Sequence, residues 1–310
     1  MLIKMQVGEQ DRGELQVNVT DSDNAPIRDA RVTISEPETA INPNSPIERL
    51  ETDVSGQTQI VDLNTPPLEY SLNKNNENMP YANYNIQIEV PGYETENIRN
   101  VEILPDSLSL QNVRMRKREG EQVENIDIDP HTLYAEYPEK IPEDEIKDVN
   151  EPGEIVLSRV VIPEYVVVHN GTPSSNARDY YVTYKDYIKN VASSEIYATW
   201  PRATIEANVL AIMSFTLNRV YTEWYRNKGY DFTITSSTAY DQKWIYGRNI
   251  FQSIDEVVDE IFDQYLSRPD VRQPILTQYC DGKRVTCPNW LSQWGSCNLG
   301  EQGFGTLEII

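Results

Sequence analysis

Between residues 13 and 118 apolar side chains alternate with polar ones at period two, whereas beyond residue 155 they recur at helical spacing. Leu15, Val17 and Val19 alternate, as do Val32 and Ile34, and again Tyr84, Ile86, Ile88 and Val90. Turn-forming clusters punctuate these runs at Asp21–Pro26, Asp53–Gly56, Thr65–Pro67 and Pro91–Gly92. Short alternating runs separated by turns every ten or so residues predict an antiparallel β-sandwich for the first third of the chain.

The later segment predicts helices. Ile155–Val168 is rich in Val and Ile and suits a strand pair around Pro163. Tyr184, Tyr187, Ile188, Val191 and Glu195 then share one helical face, and a second helix from Pro201 carries Ile205, Val209, Ile212, Met213, Thr216, Leu217 and Val220. A third begins at Ser253, with Glu256 three residues on as a capping box, and its stripe runs from Ile254 to Leu266. Gly229–Thr238 reads as a turn and a short strand. The two halves therefore predict a multi-domain protein: an all-β domain at 1–118 and an α+β domain at 155–310.

Charge separates them. From Glu119 to Glu154 thirteen acids face only Lys140 and Lys147, so half of the chain's net charge of −22 sits in about a tenth of its length. With Pro130, Pro138, Pro142 and Pro152 in the same stretch, residues 119–154 read as an extended, protease-accessible acidic linker. The overall negative balance argues against nucleic-acid binding, because a phosphate backbone would repel it. No stretch approaches the roughly 20 apolar residues of a membrane span. Met1 to Gln10 holds no apolar core of signal-peptide length, so no classical signal peptide is expected.

One acid stands out. Glu195 lies on the apolar face of its helix, at the C-terminal end, beside Ile196, Tyr197 and Trp200. Burial there disfavours the charged form, and the negative end of the helix dipole acts the same way. A carboxyl group still protonated near neutral pH can serve as a general acid. The plainer alternative is a helix-end Glu that turns back to solvent.

Two stretches carry family resemblances. Asp21-Ser-Asp-Asn-Ala-Pro26, Ala30-Arg-Val-Thr-Ile34, Thr52-Asp-Val-Ser-Gly56 and Val90-Pro-Gly-Tyr93 resemble the carboxypeptidase regulatory-like module, which implies a prealbumin-like Greek-key sandwich and no chemistry. The segment Tyr187-Ile-Lys-Asn-Val-Ala-Ser-Ser-Glu195-Ile-Tyr-Ala-Thr-Trp-Pro201 leads into Ile205–Ile212. Tyr240-Asp-Gln242, Tyr246-Gly247, Tyr279-Cys280 and Trp294-Gly295 follow it. This order resembles the sporulation stage II protein D family of lytic transglycosylases, and in particular the clostridial spore cortex-lytic enzymes.

The resemblance implies a lytic transglycosylase that cleaves MurNAc–GlcNAc bonds of spore-cortex peptidoglycan, with Glu195 as its single catalytic acid/base. Aromatic residues are dense in the second domain, at Trp200, Trp224, Tyr225, Trp244, Tyr246, Trp290 and Trp294, and flat rings stack on sugar faces; Trp200, Tyr240, Gln242 and Tyr246 are the expected substrate-binding groove residues. The resemblance also implies a zymogen, residence in the spore cortex or coat region, and use in germination; a protease would then cut in the exposed stretch between Asn150 and Arg159, the alternative being that the linker is a plain spacer. Peptidoglycan glycan strands and the activating protease are then the partners. The chain departs from the family at Asn208 and Met213 on the long helix, and has Tyr279-Cys280 where many members have Tyr-His.

Three cysteines, Cys280, Cys287 and Cys297, leave three readings open: a structural zinc site, one disulfide, or free thiols. No cofactor is required by the chemistry implied. His131 and His169 lie far from the motifs, so a His-ligated zinc amidase is not expected. Glu206 falls off the stripe of its helix and reads as a surface residue. Thr306–Ile310 looks like the start of a helix, and the resemblance implies further chain beyond it. A non-catalytic peptidoglycan-binding or amidase-enhancing module, and a structural surface protein, are the competing readings.

Overall fold

The computed structural model describes residues 10–37, 46–120, 123–143 and 156–310. They form two compact units. The first comprises Met1–Pro130 with Tyr197–Thr199 and Tyr246–Gln252, and the second the remaining residues from His131 onward.

The first unit is a sheet-rich β domain. Its strands are β1 (Asp11–Thr20), β2 (Arg31–Ser35), β3 (Pro46–Glu51), β4 (Val61–Thr65), β5 (Ala82–Glu89), β6 (Thr95–Ile103), β7 (Leu108–Arg114) and β8 (Val123–Asp127), with a one-turn helix α1 (Glu69–Leu72) after β4. One sheet has the order β4-β1-β7 and is extended beyond β7 by a two-residue strand, Ile250–Phe251; the other has the order β3-β2-β5-β6-β8. The expected alternation is present: Leu15, Val17, Val19, Val32, Ile34, Ile86 and Ile88 are buried, with polar neighbours between them. Apolar area removed from water on these faces is the main stabilising contribution, about 25 cal/mol per Å².

The turn signals fold as read. Asp21 Oδ1 accepts from the amides of Asp23 and Ala25, Asp53 Oδ1 accepts from those of Ser55 and Gln57, and Gly56 adopts φ +73°. Gly13 is required for another reason: a Cβ there would meet the carbonyl oxygen of Leu104 at 2.2 Å.

Two sequence expectations need correction. The sheets are not wholly antiparallel, since β1 pairs β7 in parallel and β6 pairs β8 in parallel. Period-two patterning reports which face a residue occupies, and carries no information on strand direction. Nor is the whole of 119–154 an extended linker. Its residues 123–127 are β8, in register with Thr95–Arg99, and His131 and Leu133 further on are buried. Glu124 accepts from Arg116 and Tyr246, so charge that repels in a composition count is paired in the fold. Residues 144–154 of that stretch lie outside the described residues.

The second unit holds a small sheet in the order β10-β9-β11, made of β9 (Tyr165–His169), β10 (Asp179–Thr183) and β11 (Ile234–Thr235). Its helices are α2 (Tyr184–Glu195), α3 (Arg202–Tyr221), α4 (Gln252–Ile261), α5 (Gln293–Glu301) and α6 (Thr306–Ile309). The strand pair expected around Pro163 is not formed. The strand there starts at Tyr165 and its partner is β10, because a proline supplies no ladder donor. The third helix ends at Ile261, so Tyr265 and Leu266 lie beyond it; the Leu266 amide donates to Ser214 Oγ over 2.8 Å instead.

Thr183 caps α2 by accepting from the Asp186 amide. Helix α3 is buried almost all round, and its internal Ser214 and Thr216 donate to carbonyls four residues back. Helix α5 approaches α3 closely at Gly300, where a Cβ would lie 2.1 Å from Thr204 Oγ1. Among the described residues no helix is long and apolar enough to cross a membrane.

Candidate active site

Glu195 is the last residue of α2, and its side chain is turned inward, with 4% of its surface exposed. The helix ends there because Ile196 is extended and its amide caps back onto Ala192. Two donors hold the carboxyl group. The Lys243 amide donates to Oε1 over 2.7 Å and the Tyr279 hydroxyl to Oε2 over 2.5 Å. Gln293 Nε2 donates to the Glu195 main-chain carbonyl over 3.0 Å, which anchors the helix end.

The two influences on its proton oppose each other. Burial raises the Glu195 carboxyl above its ordinary range and is the larger effect. The Lys243 amide, the Tyr279 hydroxyl and the ammonium of Lys140 pull it back without cancelling the rise. Burial also pushes the Tyr279 phenol well up, so it stays protonated and keeps donating.

Glu195 lines a cleft of about 540 Å³ together with Tyr137, Lys140, Tyr279, Arg284 and Trp290. Lys140 reaches in with its Nζ 2.5 Å from the Asp241 carbonyl and 4.4 Å from the centre of the Phe215 ring. Burial lowers its ammonium to about 8, against the opposing charges of Glu195 and Asp241.

Beneath the cleft, Asp241 and Arg219 form a fully buried ion pair at 2.7 Å. Asp241 Oδ2 also accepts from the Tyr225 hydroxyl and from both the amide and hydroxyl of Thr235. The Arg219 guanidinium grips Glu143 through two parallel bonds of 2.8 and 2.9 Å.

The four residues expected to line a sugar groove do not line this cleft. Trp200 is buried with its ring centre 5.2 Å from that of Trp294. Gln242 is fully buried, accepting from Tyr187 and donating to the Ile212 carbonyl, with Thr216 Oγ1 2.8 Å from its Oε1. It supports the walls of the site from behind. Tyr240 contributes its main-chain carbonyl to Arg219. Tyr246 belongs to the first unit, where its hydroxyl meets Glu124 and Arg116. Aromatic density in the sequence did not distinguish rings facing a groove from rings filling a core.

The cysteines are also corrected. Cys280 and Cys287 form a disulfide and Cys297 is a buried free thiol, so the three do not make a metal site. Among the described residues no group of three or more His, Cys, Asp or Glu is arranged to hold a metal ion. Glu206 sits in a surface pair with Arg202 and accepts from Thr306. His131 and His169 are structural: His131 bridges to the Ile196 carbonyl and the Leu133 amide, and His169 meets Asp179 at 2.7 Å and stacks on Phe232.

The sequence singled out Glu195 but gave no role to Lys140 or the Lys243 amide. Lys140 had a signal: it is one of two cations in a run of thirteen acids, flanked by Tyr137, Pro138 and Pro142. The Lys243 amide had none, since a main-chain donor is invisible to residue type.

No protein-family model matches the chain, and no curated protein matches it. Among solved structures it is similar to catechol 1,2-dioxygenase of Acinetobacter radioresistens, at 15% identity and a TM-score of 0.26, over 38% of this chain and 58% of that one. The minor pilin GBS52 of Streptococcus agalactiae is similar at 17% identity and a TM-score of 0.25, over 37% of this chain and 48% of that one. The Bacillus anthracis TIE protein is similar at 13% identity and a TM-score of 0.23, over 34% of this chain and 17% of that one. The chain thus covers less than two thirds of the length of each, and likeness of this size assigns neither a fold nor an activity.

Proposed function

We propose that the second unit is a peptidoglycan-cleaving domain of the kind found in the sporulation stage II protein D family, a lytic transglycosylase with Glu195 as its acid/base. The observation that carries this reading is a buried carboxyl group at a helix end, held between two donors on a cleft with aromatic walls, and with its proton affinity raised by burial.

In the proposed step the protonated Glu195 gives its proton to the oxygen of the MurNAc–GlcNAc bond, and the bond from C1 to that oxygen breaks. The sugar's own 6-hydroxyl then attacks C1, and the Glu195 carboxylate takes the hydroxyl proton. A 1,6-anhydro end forms, no water is consumed, and Glu195 returns to its starting state. One carboxyl group suffices, in contrast to the pair used by ordinary glycosidases. Two of the other acids on the cleft are engaged elsewhere: Asp241 is paired with Arg219, and Asp281 is tied to Arg284 and three main-chain amides.

The first unit is proposed as a prealbumin-like pro-region, and the whole as a precursor of a germination enzyme of the spore cortex, activated by proteolysis. Digestion of purified spore cortex followed by mass spectrometry of the fragments tests the chemistry. Anhydro-muramic ends that disappear in Glu195→Gln are expected. Reducing ends, or undiminished digestion by Glu195→Gln, would refute it.

A further inference from the structure

The cleft beside Glu195 already holds a length of this chain. Residues 131–143 border it, first as a turn over Thr132–Tyr134 and then without regular secondary structure, and much of their anchoring is to main-chain groups, as a bound peptide would be held. The Thr132 amide and hydroxyl both reach the Ser194 carbonyl at 3.1 Å, one residue before Glu195. Arg284 donates to the carbonyls of Thr132 and Ala135. Thr238 Oγ1 donates to the Pro138 carbonyl over 3.0 Å, and the Ile141 amide to the Ala239 carbonyl over 2.8 Å. Gln278 donates to the Glu143 carbonyl while Arg219 clamps its carboxylate. Along this path Tyr137 lies under Lys243 Nζ at 4.7 Å. Lys140 places its ammonium over the rings of Phe215 and Tyr279.

We propose that residues 131–143 are an autoinhibitory strap, a built-in ligand of the Glu195 cleft anchored by the Lys140 ammonium, which a glycan strand must displace. This rests on the reading of the cleft as the glycan-cleaving site. Three features make the strap an inhibitor rather than a wall. Tyr137, Pro138, Lys140 and Pro142 take up lining that a sugar would need. The Lys140 charge favours the carboxylate form of Glu195, which has no proton to give a leaving oxygen. An ammonium sequestered from water at this site is also costly, so the strap is held by the sum of its anchors and is open to competition from a better ligand.

The test uses the full chain as wild type, Lys140→Met and Arg284→Ala, the second loosening the strap without touching its buried anchor. Hydrogen exchange read by mass spectrometry over residues 131–143 reports release of the strap. Titration with soluble, stem-peptide-free peptidoglycan strands reports access to the cleft. Both variants are expected to exchange faster over the strap and to bind the strands about tenfold more tightly, since relief from a competing internal ligand raises apparent affinity. Unchanged exchange in both variants overturns the proposal, as does faster exchange with unchanged or weaker glycan binding. Tighter binding with no new glycan ends in a cortex digest would leave the strap standing and sink the lytic chemistry instead.

Discussion

Replacing Tyr279 by Phe removes one hydroxyl, the donor to Glu195 Oε2 at 2.5 Å, and leaves a ring of nearly the same shape. A hydrogen bond to a charged acceptor contributes about 1.5–3 kcal/mol. It acts mostly on the ionised form of Glu195, and one pKa unit corresponds to about 1.36 kcal/mol. Losing it should therefore raise the Glu195 carboxyl further, beyond the rise that burial already causes. A carbon-13 NMR titration of Glu-labelled protein, with Glu195→Gln to assign the resonance, measures this directly and needs no activity. The stability consequence has a defined sign. A carboxyl group raised in the folded state contributes most below its unfolded value and loses that contribution as pH rises through the folded one. Tyr279→Phe should thus cost more stability at pH 8 than at pH 4. A Glu195 titration unmoved or shifted downward in the variant would refute the account of how this carboxyl is held.

Arg219→Met should destabilise the protein by about 3–5 kcal/mol in urea unfolding, because it strands Asp241 as a buried charge without its partner. A loss under 1 kcal/mol would mean that Tyr225 and Thr235 alone satisfy that carboxylate. Gly13→Ala should cost about 3 kcal/mol, since its new methyl group meets a main-chain oxygen that cannot swing aside. A thermal melt of the variant matching the parent would show that β1 and the Leu104 corner can separate freely.

Local signals were the legible ones. The face that carries Tyr184, Tyr187, Ile188 and Val191 is buried, and Glu195 ends its helix turned inward as spacing implied. The Asp21 and Asp53 turns were readable because each aspartate bonds its own following amides, a chemistry confined to a few residues. What stayed hidden depended on partners far along the chain. The acidic stretch looked repulsive because its neutralising groups, Arg116 for Glu124 and Arg219 for Glu143, lie outside it. Gln242 and Tyr246 are four residues apart in one motif yet belong to different units, which no local pattern records. The disulfide was one of three open readings, because spacing alone does not choose among thiols, bridge and metal.

The short strand Ile250–Phe251 pairs with β7 at Leu110 and Ser109, and its neighbour Arg248 is buried against Glu102 at 2.6 Å. These partners stand about 140 positions apart along the polypeptide. On the ribosome, where a chain emerges from its N-terminus at about 5–20 residues per second, the β domain is therefore left waiting. Its sheet lacks an edge, and Glu102 its counter-ion, for roughly 7–30 seconds until residue 251 appears. Synthesis order thus keeps the N-terminal domain incomplete until most of the second unit has been made, although it is the first to be begun.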